Sequence, residues 1–163
     1  MNILVWGAPG AGKTSLAKIL GIPDRFHGDE PLAYLVHAGH GADIALVVFD
    51  VTVPAQIQAA RSQLAARQAG IPRVIAAANK MDLAGYEYDV FKAARGVFLR
   101  GWHDAPPAFV PVSARFGDLI VRAGDRIDWY DGPTLKQVLH GEGAYSATQT
   151  GSVPVSAAFS IPA

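Results

Sequence analysis

The chain contains no cysteine, few charged residues and no long apolar run. The lack of Cys in its 163 residues excludes disulfides, thiol catalysis and Cys-ligated zinc. Charged residues make up 17% of the chain, against about 25% in average globular proteins. The 14 basic side chains balance 14 acidic ones, which argues against nucleic-acid binding through bulk charge. The most apolar stretch, residues 42–49, is interrupted by Asp43 and is too short to cross a membrane.

The remaining composition is typical of a single globular domain. Half of the residues are apolar, and the 17 Gly and 11 Pro residues imply many tight turns. The start, residues 1–6, carries no basic leader, so we expect no signal peptide and a cytoplasmic location. We predict one domain over residues 1–141, followed by a small, polar linker or tail over residues 142–163.

Short apolar runs alternate with amphipathic segments along residues 1–141. This alternation predicts a mostly parallel sheet with helices on both faces, a doubly wound α/β fold. The predicted strands are residues 2–6, 44–49, 74–78 and 109–112. The predicted helix faces are Leu16, Ile19 and Leu20; Ile57, Ala60 and Leu64; Val90, Phe91, Ala94, Val97 and Phe98; and Leu135, Val138 and Leu139.

The segment Gly7–Thr14 matches the phosphate-binding pattern Gly-x-x-x-x-Gly-Lys-Ser/Thr between a predicted strand and a predicted helix. Its glycines let the backbone fold around a phosphate, and the helix N-terminus adds partial positive charge. We expect Lys13 to reach the β- and γ-phosphates of a nucleotide and Thr14 to bind Mg²⁺. The alternative is an ordinary glycine-rich turn with Lys13 in solvent. The predicted phosphate-site residues are Gly7, Ala8, Pro9, Gly10, Ala11, Gly12, Lys13, Thr14 and Ser15.

The pattern Asn79-Lys80-Met81-Asp82 follows the third predicted strand. Ligands of doubly wound sheets bind at the carboxyl ends of the strands, so these side chains share an edge with the phosphate loop. The Asp82 carboxylate can accept N1–H and N2–H of guanine, a donor pair that adenine lacks. The Lys80 stem would cover the base, and Asn79 would connect it to the phosphate loop. A solvated turn is the alternative.

The segment Ser113-Ala114-Arg115 follows the fourth predicted strand and reaches the same edge. The backbone N–H of Ala114 can donate to guanine O6, whereas an adenine amino group would be repelled. By itself this short pattern is as typical of a plain turn as of a base-binding segment. Its order after the two preceding patterns indicates a guanine nucleotide, GTP or GDP.

At these residues the chain resembles the translation-factor class of GTPases, in particular the GTPase domains of sulfate adenylyltransferase large subunits and elongation factor 1-alpha. The resemblance extends over residues 42–50, 68–74, 79–83 and 109–114, and the segment Trp129–Leu135 is similar to a signature of the sulfate-activation branch. It implies a P-loop NTPase fold of the G-domain type, with a reduced strand count. In such families a β-barrel domain follows the GTPase domain, and the tail after Gly141 would lead into it.

The interval over residues 21–43 is too short for the switch elements that the resemblance implies. It contains no Thr for an effector loop, and Asp29–Leu32 keeps Asp and Pro of the expected turn but has Leu in place of Gly. His37 and His40 are candidate replacements for the water-positioning His, and we name His40 as the first of them; ordinary surface or helix-end histidines are the alternative. Asp50, at a strand end, is a candidate to hold Mg²⁺ through water, as a Walker-B carboxylate does.

The sequence thus predicts a Mg²⁺-dependent GTP-binding domain with weak hydrolysis of GTP to GDP and phosphate, in which Lys13 supplies electrostatic stabilisation. One alternative is a non-catalytic guanine-nucleotide-binding module or a truncated subunit. Another is a P-loop kinase for a small acceptor. Because the short interval leaves out two strands, an exposed sheet edge is expected to drive contact with a partner subunit or homodimerisation.

Overall fold

The computed structural model describes residues 3–22, 43–67, 73–103 and 105–141. The predicted tail over residues 142–163, and His37 and His40 in the short interval, lie outside these ranges. The strands are β1 (Ile3–Trp6), β2 (Ile44–Asp50), β3 (Arg73–Asn79) and β4 (Ala108–Pro111). The helices are α1 (Lys13–Leu20), α2 (Pro54–Arg67), α3 (Tyr88–Leu99) and α4 (Leu135–Leu139). Among the described residues, no helix is both long and apolar enough to cross a bilayer.

The four strands form one parallel sheet in the order β1-β2-β3-β4. Trp6 lies beside Val47, and Asp50 lies beside Asn79 at the far end of the β2–β3 pair. Because all strands point the same way, their carboxyl ends meet at one edge of the sheet. The predicted α/β fold class is confirmed, and the three sequence patterns start from this one edge.

Both faces of the sheet are covered. All seven residues of β2 are buried, and successive side chains of a strand point to opposite faces, so neither face of β2 is open to solvent. On one face, Phe49 of β2 packs 5.8 Å from Phe98 of α3 and 6.2 Å from Phe109 of β4, measured between ring centroids. This aromatic cluster holds α3 against the middle of the sheet.

Where the structure describes their side chains, the predicted helix faces are confirmed with one exception; the side chain of Leu64 lies outside the described residues. Phe91, Ala94 and Phe98 of α3 are buried as expected. In α1, however, Ile19 was predicted on the buried face and is 37% exposed. The buried residues of α1 are Leu16 and Ala17, so the packed face is rotated away from Ile19.

Two strand boundaries differ from the prediction in a way that matters for the site. Asn79 is the last residue of β3 rather than the first residue after it, and β4 begins one residue early, at Ala108. Asn79 therefore has the fixed backbone direction of a paired strand and is only 1% exposed. Within the described part of the chain, β1 pairs with β2 alone, so its other side is a sheet edge there.

Candidate nucleotide-binding site

The loop between β1 and α1 is held so close to its neighbours that two of its glycines cannot carry a side chain. A Cβ at Gly7 would overlap the carbonyl oxygen of Val48 on the adjacent strand. A Cβ at Gly12 would overlap Nδ2 of Asn79, and its φ of 98° lies in the left-handed region that favours glycine. The phosphate-binding pattern is thus packed against both β2 and β3.

Lys13 and Thr14 occupy the first turn of α1. The Lys13 Nζ donates to the carbonyl oxygen of Gly7 at 2.6 Å, which places the ammonium across the loop rather than out in solvent. Thr14 and Ser15 are exposed at the helix N-terminus, where backbone N–H groups lack helical partners. The local arrangement thus combines a cation, hydroxyls and a helix N-terminus, the groups that bind phosphate.

Asn79 connects the phosphate loop to the segment after β4. Its Nδ2 donates to the carbonyl oxygen of Ala11 at 2.8 Å, and its Oδ1 accepts from the backbone N–H of Ala114 at 3.0 Å. Both functions of one buried amide are used, each on a different loop. All three sequence patterns are therefore tied together through this side chain.

Asp82 is oriented by the third pattern. The Ser113 hydroxyl donates to Oδ1 of Asp82 at 2.8 Å and accepts from the backbone N–H of Phe116 at 3.3 Å. Ser113 is fully buried, so it holds the half-buried Asp82 carboxylate from the protein interior. A pocket of about 320 Å³ opens between the three patterns. It is lined by Gly12, Ser15, Asn79, Lys80, Asp82, Leu83, Ala114 and Arg115.

Lys80 is held by an acidic side chain at the end of β2. Its Nζ lies 3.2 Å from Oδ2 of Asp50. The other oxygen of Asp50 accepts from both the backbone N–H and the hydroxyl of Thr52, at 2.9 and 2.6 Å. Burial acts to raise the pKa of Asp50, but the hydrogen bonds from Thr52 and Lys80 outweigh it and hold this pKa below its ordinary value.

The long connection between β4 and α4 is anchored to the loop that follows Asp82. Trp129 donates through Nε1 to the carbonyl oxygen of Tyr86 at 2.8 Å, and its ring packs 5.2 Å from that of Phe91. Thr134 caps α4 in a capping box with Gln137. The Trp129–Leu135 signature therefore has a structural role: it fixes this connection against the loop that follows Asp82.

A second polar network, centred on Asp118, lies next to Arg115 and reaches it through the ring of Phe116. Asp118 accepts from the Tyr86 hydroxyl at 2.9 Å and from Arg126 at 3.2 Å. The guanidinium groups of Arg126 and Arg115 lie 4.7 and 5.2 Å from the ring centroid of Phe116. Arg115 itself is exposed and lines the pocket.

The predicted site residues thus fall into three groups. Those of Gly7–Ser15, Asn79–Asp82 and Ser113–Arg115 are brought together around one edge of the sheet. Asp50 lies beside this group, with each of its carboxylate oxygens already bonded to the protein, so its contact with a metal through water stays a prediction. His40 lies outside the described residues.

Sequence reasoning missed Thr52 and the Asp50–Lys80 ion pair. The available signal was Asp50-Val-Thr52 at the end of a strand, because a carboxylate two residues before a Thr commonly accepts from its backbone and hydroxyl. Sequence reasoning also expected the backbone N–H of Ala114 to donate to a base, whereas in the structure this N–H donates to Oδ1 of Asn79.

The donor set around α1 fits Mg²⁺ bound together with phosphates rather than in a protein cage. Mg²⁺ prefers oxygen ligands and commonly keeps waters while using one or two protein groups plus substrate phosphates. Thr14 offers a hydroxyl at the required end of the helix. Within the described ranges, no cluster of three or more His, Asp or Glu side chains is arranged to hold a metal alone.

Comparison with known proteins places the chain beside two groups of proteins. It is 40% identical over 103 residues to sulfate adenylyltransferase subunit 1 of Laribacter hongkongensis, covering 60% of this chain and 21% of that protein. It is 39% identical over 99 residues to elongation factor 1-alpha of Archaeoglobus fulgidus, covering 58% and 23%. The chain thus spans about a fifth of the length of these relatives, and the resemblance inferred from the motifs is confirmed over that region. No protein-family model matches the chain.

Solved structures give the same fold. Sup35 complexed with GMPPNP matches with a TM-score of 0.63 at 21% identity, over 91% of this chain and 45% of that one. A GTP-binding protein from Sulfolobus solfataricus in complex with GDP matches with a TM-score of 0.50 at 19% identity, over 71% and 47%. At such identities the likeness concerns the fold alone.

Proposed function

We propose that this chain is a guanine-nucleotide-binding domain that binds GTP and GDP with Mg²⁺ and hydrolyses GTP slowly. The observation that carries the proposal is the double hydrogen bond of Asn79, which joins the phosphate loop to the segment Ser113–Arg115. With Asp82 held by Ser113 at the same pocket, one ligand can touch all three patterns at once. A nucleotide has the matching parts: phosphates at one end and a flat base at the other.

Guanine is the base that this pocket favours. The Asp82 carboxylate presents acceptors, and guanine offers two adjacent donors, N1–H and N2–H, at the positions where adenine offers none. A buried or half-buried carboxylate that is left unpaired by the wrong base costs free energy, and this cost is a source of selectivity. The Ala114 N–H already donates to Asn79, so a bond to guanine O6 requires it to be shared between two acceptors.

The phosphates are proposed to lie in the loop Gly7–Thr14, with Lys13 moving from the Gly7 carbonyl to the β- and γ-phosphates. Mg²⁺, held by the Thr14 hydroxyl, would neutralise part of their charge. Hydrolysis adds water to the γ-phosphorus and breaks its bond to the bridging oxygen of GDP. We expect this step to be slow because residues 21–43 contain no Thr, and His40 is the candidate left to orient the water.

The proposal is tested by titrating the full chain with fluorescent GTP, GDP and ATP analogues, with and without Mg²⁺. We expect guanine-selective binding that Mg²⁺ strengthens. Equal affinity for the ATP analogue, or no binding of any nucleotide, would overturn the assignment of Asn79–Asp82 to a guanine site. Lys92→Ala, an exposed lysine on α3, serves as a control for loss of positive charge.

The same titration separates a switch from a holding module. A clear preference for GTP over GDP means that the protein responds to the γ-phosphate, and single-turnover hydrolysis assays follow. Equal affinities with an unchanged proteolysis pattern favour the non-catalytic module instead. A fast turnover that Lys13→Ala abolishes would contradict the proposed slow hydrolysis.

We also propose that the free side of β1 contacts a partner subunit or a second copy of the chain. Within the described residues β1 pairs only with β2, and an unpaired strand edge is a template for association. Sedimentation of the purified chain at increasing concentration tests this. A monomer at every concentration counts against homodimerisation.

A further inference from the structure

We propose that Asp50, itself held by Thr52, is a positioning residue for the base pocket: it ties down the Lys80 ammonium so that the Lys80 stem forms a wall of the pocket before a nucleotide arrives. This inference rests on the proposed guanine-nucleotide function and deepens it. It assigns a role to two residues, Asp50 and Thr52, that do not line the pocket.

The first step of the argument is the geometry of the ion pair. The Nζ of Lys80 lies 3.2 Å from Oδ2 of Asp50, while Lys80 itself lines the pocket with Asp82 and Ala114. Because the ammonium is bound outside the pocket lining, the methylene stem is the part of Lys80 left to contact a ligand. A stem of this kind offers an apolar surface that suits the flat face of a base.

The second step is the rigidity of the acceptor. Asp50 is 6% exposed and pairs with Asn79 in the β2–β3 register. Its Oδ1 accepts two hydrogen bonds from Thr52, one from the backbone N–H and one from the hydroxyl. Two donors on one oxygen fix the carboxylate plane, and this fixes the direction in which Oδ2 is offered to Lys80.

The third step is the backbone of Lys80. Its φ of 65° lies in the left-handed region, which is uncommon for a residue with a side chain. The turn therefore aims the side chain of Lys80 in one direction, and the ion pair then restrains its long, flexible stem. A lysine restrained beforehand loses less conformational entropy when the ligand binds.

The test is a double-mutant cycle on the rate at which a fluorescent GDP analogue leaves the full chain. The proteins are wild type, Asp50→Asn, Lys80→Ala and the double variant. Asn keeps an oxygen for Thr52 but removes the charge that binds Lys80. We expect Asp50→Asn to release the analogue about fivefold faster in the wild-type background and to have no effect in the Lys80→Ala background.

An equal effect of Asp50→Asn in both backgrounds would overturn the proposal, since Asp50 would then act on the fold and not through Lys80. So would an unchanged release rate in the wild-type background. Asp125→Asn, at an exposed carboxylate outside the pocket lining, is the matched control and should release the analogue at the wild-type rate. Thermal melting of every variant checks that each is folded.

If Asp50→Asn does not fold, Thr52→Val and Thr52→Ser decide the question. Val removes the hydroxyl donor and should speed release, whereas Ser restores the donor and should return the rate towards wild type. Equal rates for both variants and wild type would refute the positioning role. Failure of wild type to bind the analogue at all is a different result, because it removes the proposed function and the positioning role with it.

Discussion

The two halves of the site are built from different parts of the chain. In the phosphate half, Gly7–Ser15, the ligand-facing groups belong mainly to the backbone, and the sequence requirement is for glycines that leave room for close neighbours. In the base half, Asn79–Asp82 with Ser113–Arg115, the groups proposed to face the ligand are mainly side chains; the Ser113 hydroxyl holds Asp82, and the backbone N–H of Ala114 holds Asn79. Under the proposed function, the first half binds the charged phosphates and the second half binds the base through its pattern of donors and acceptors.

This difference predicts how substitutions in each half change nucleotide affinity. Substitutions in the phosphate half should weaken all nucleotides alike, because every nucleotide has phosphates. Substitutions in the base half should change the ratio of guanine to adenine affinity. Asn79 belongs to both, since its amide bonds Ala11 on one side and Ala114 on the other.

Asn79→Ala should have the largest effect, because it separates the halves. Two hydrogen bonds are lost and two backbone groups lose their partner, which we expect to weaken GDP binding by about 3 kcal/mol, or about 150-fold. Isothermal titration measures it. Asn79→Asp is the matched control: it keeps the acceptor for Ala114 but loses the donor to Ala11, so an intermediate affinity is expected. An affinity of Asn79→Ala within threefold of wild type would contradict the bridging role.

Lys13→Ala should break the phosphate half alone. Loss of a charged hydrogen bond to the phosphates is expected to weaken GTP binding by about 2.5 kcal/mol, about 70-fold. The ratio of GTP to ATP affinity should stay the same, because the base half is intact. Competition titrations with both nucleotides measure this ratio. A changed ratio would show that Lys13 also acts on the base half, against the division drawn here.

Asp82→Ala should weaken nucleotide binding through the base half alone. Two hydrogen bonds from guanine to a carboxylate are lost, so GTP affinity should fall by about 2 kcal/mol, about 30-fold, while ATP affinity stays unchanged or rises. The same competition titration measures it. Asp89→Asn, an exposed carboxylate at the start of α3, is the control. A parallel loss for GTP and ATP would place the effect of Asp82 on the fold instead.

The sequence predicted the fold, and the meeting of its three patterns at one edge of the sheet, for a physical reason. Parallel strands that are buried on both faces are continuous apolar runs, as in β2, and they are easily recognised. The motifs at their carboxyl ends then share one edge by topology alone. The rotated face of α1 was missed because one of its two buried residues is Ala17, and apolar periodicity gives such a small residue little weight.

The support of the site was less predictable. Hydrogen bonds such as that from Ser113 to Asp82 join residues 31 positions apart, and no local pattern encodes such a distance. The same holds for Trp129, whose indole N–H donates to a carbonyl 43 residues earlier. The sequence could therefore identify which residues meet, but not which of them orients the other.

Ser113→Ala tests that orientation and should have a smaller effect. It leaves Asp82 in place but removes the hydroxyl that fixes it, so GTP affinity should fall by about 1 kcal/mol, about fivefold, with a matching fall in the GTP to ATP ratio. Ser15→Ala, in the phosphate half, is the comparison variant and should leave the ratio unchanged. Equal ratios for both variants would mean that Asp82 is oriented without Ser113.

The smallest expected effect is the pH dependence that Asp50 gives to stability. Its pKa in the folded protein lies below the ordinary value of 3.8, because the hydrogen bonds from Thr52 and Lys80 outweigh burial. As the pH falls, the unfolded chain therefore takes up a proton at this carboxyl at a higher pH than the folded protein does. The contribution of Asp50 is present above that ordinary value and is lost as the pH falls through the folded-state pKa.

Denaturant melts of wild type and Asp50→Asn between neutral pH and pH 3 measure this contribution. The difference in unfolding free energy between the two proteins should be largest near neutral pH and shrink on acidification. Added salt should shrink it further, because Lys80 is partly exposed and its pairing with Asp50 is screened. A difference independent of pH would mean that Asp50 stabilises the base half by its shape and hydrogen bonds, without its charge.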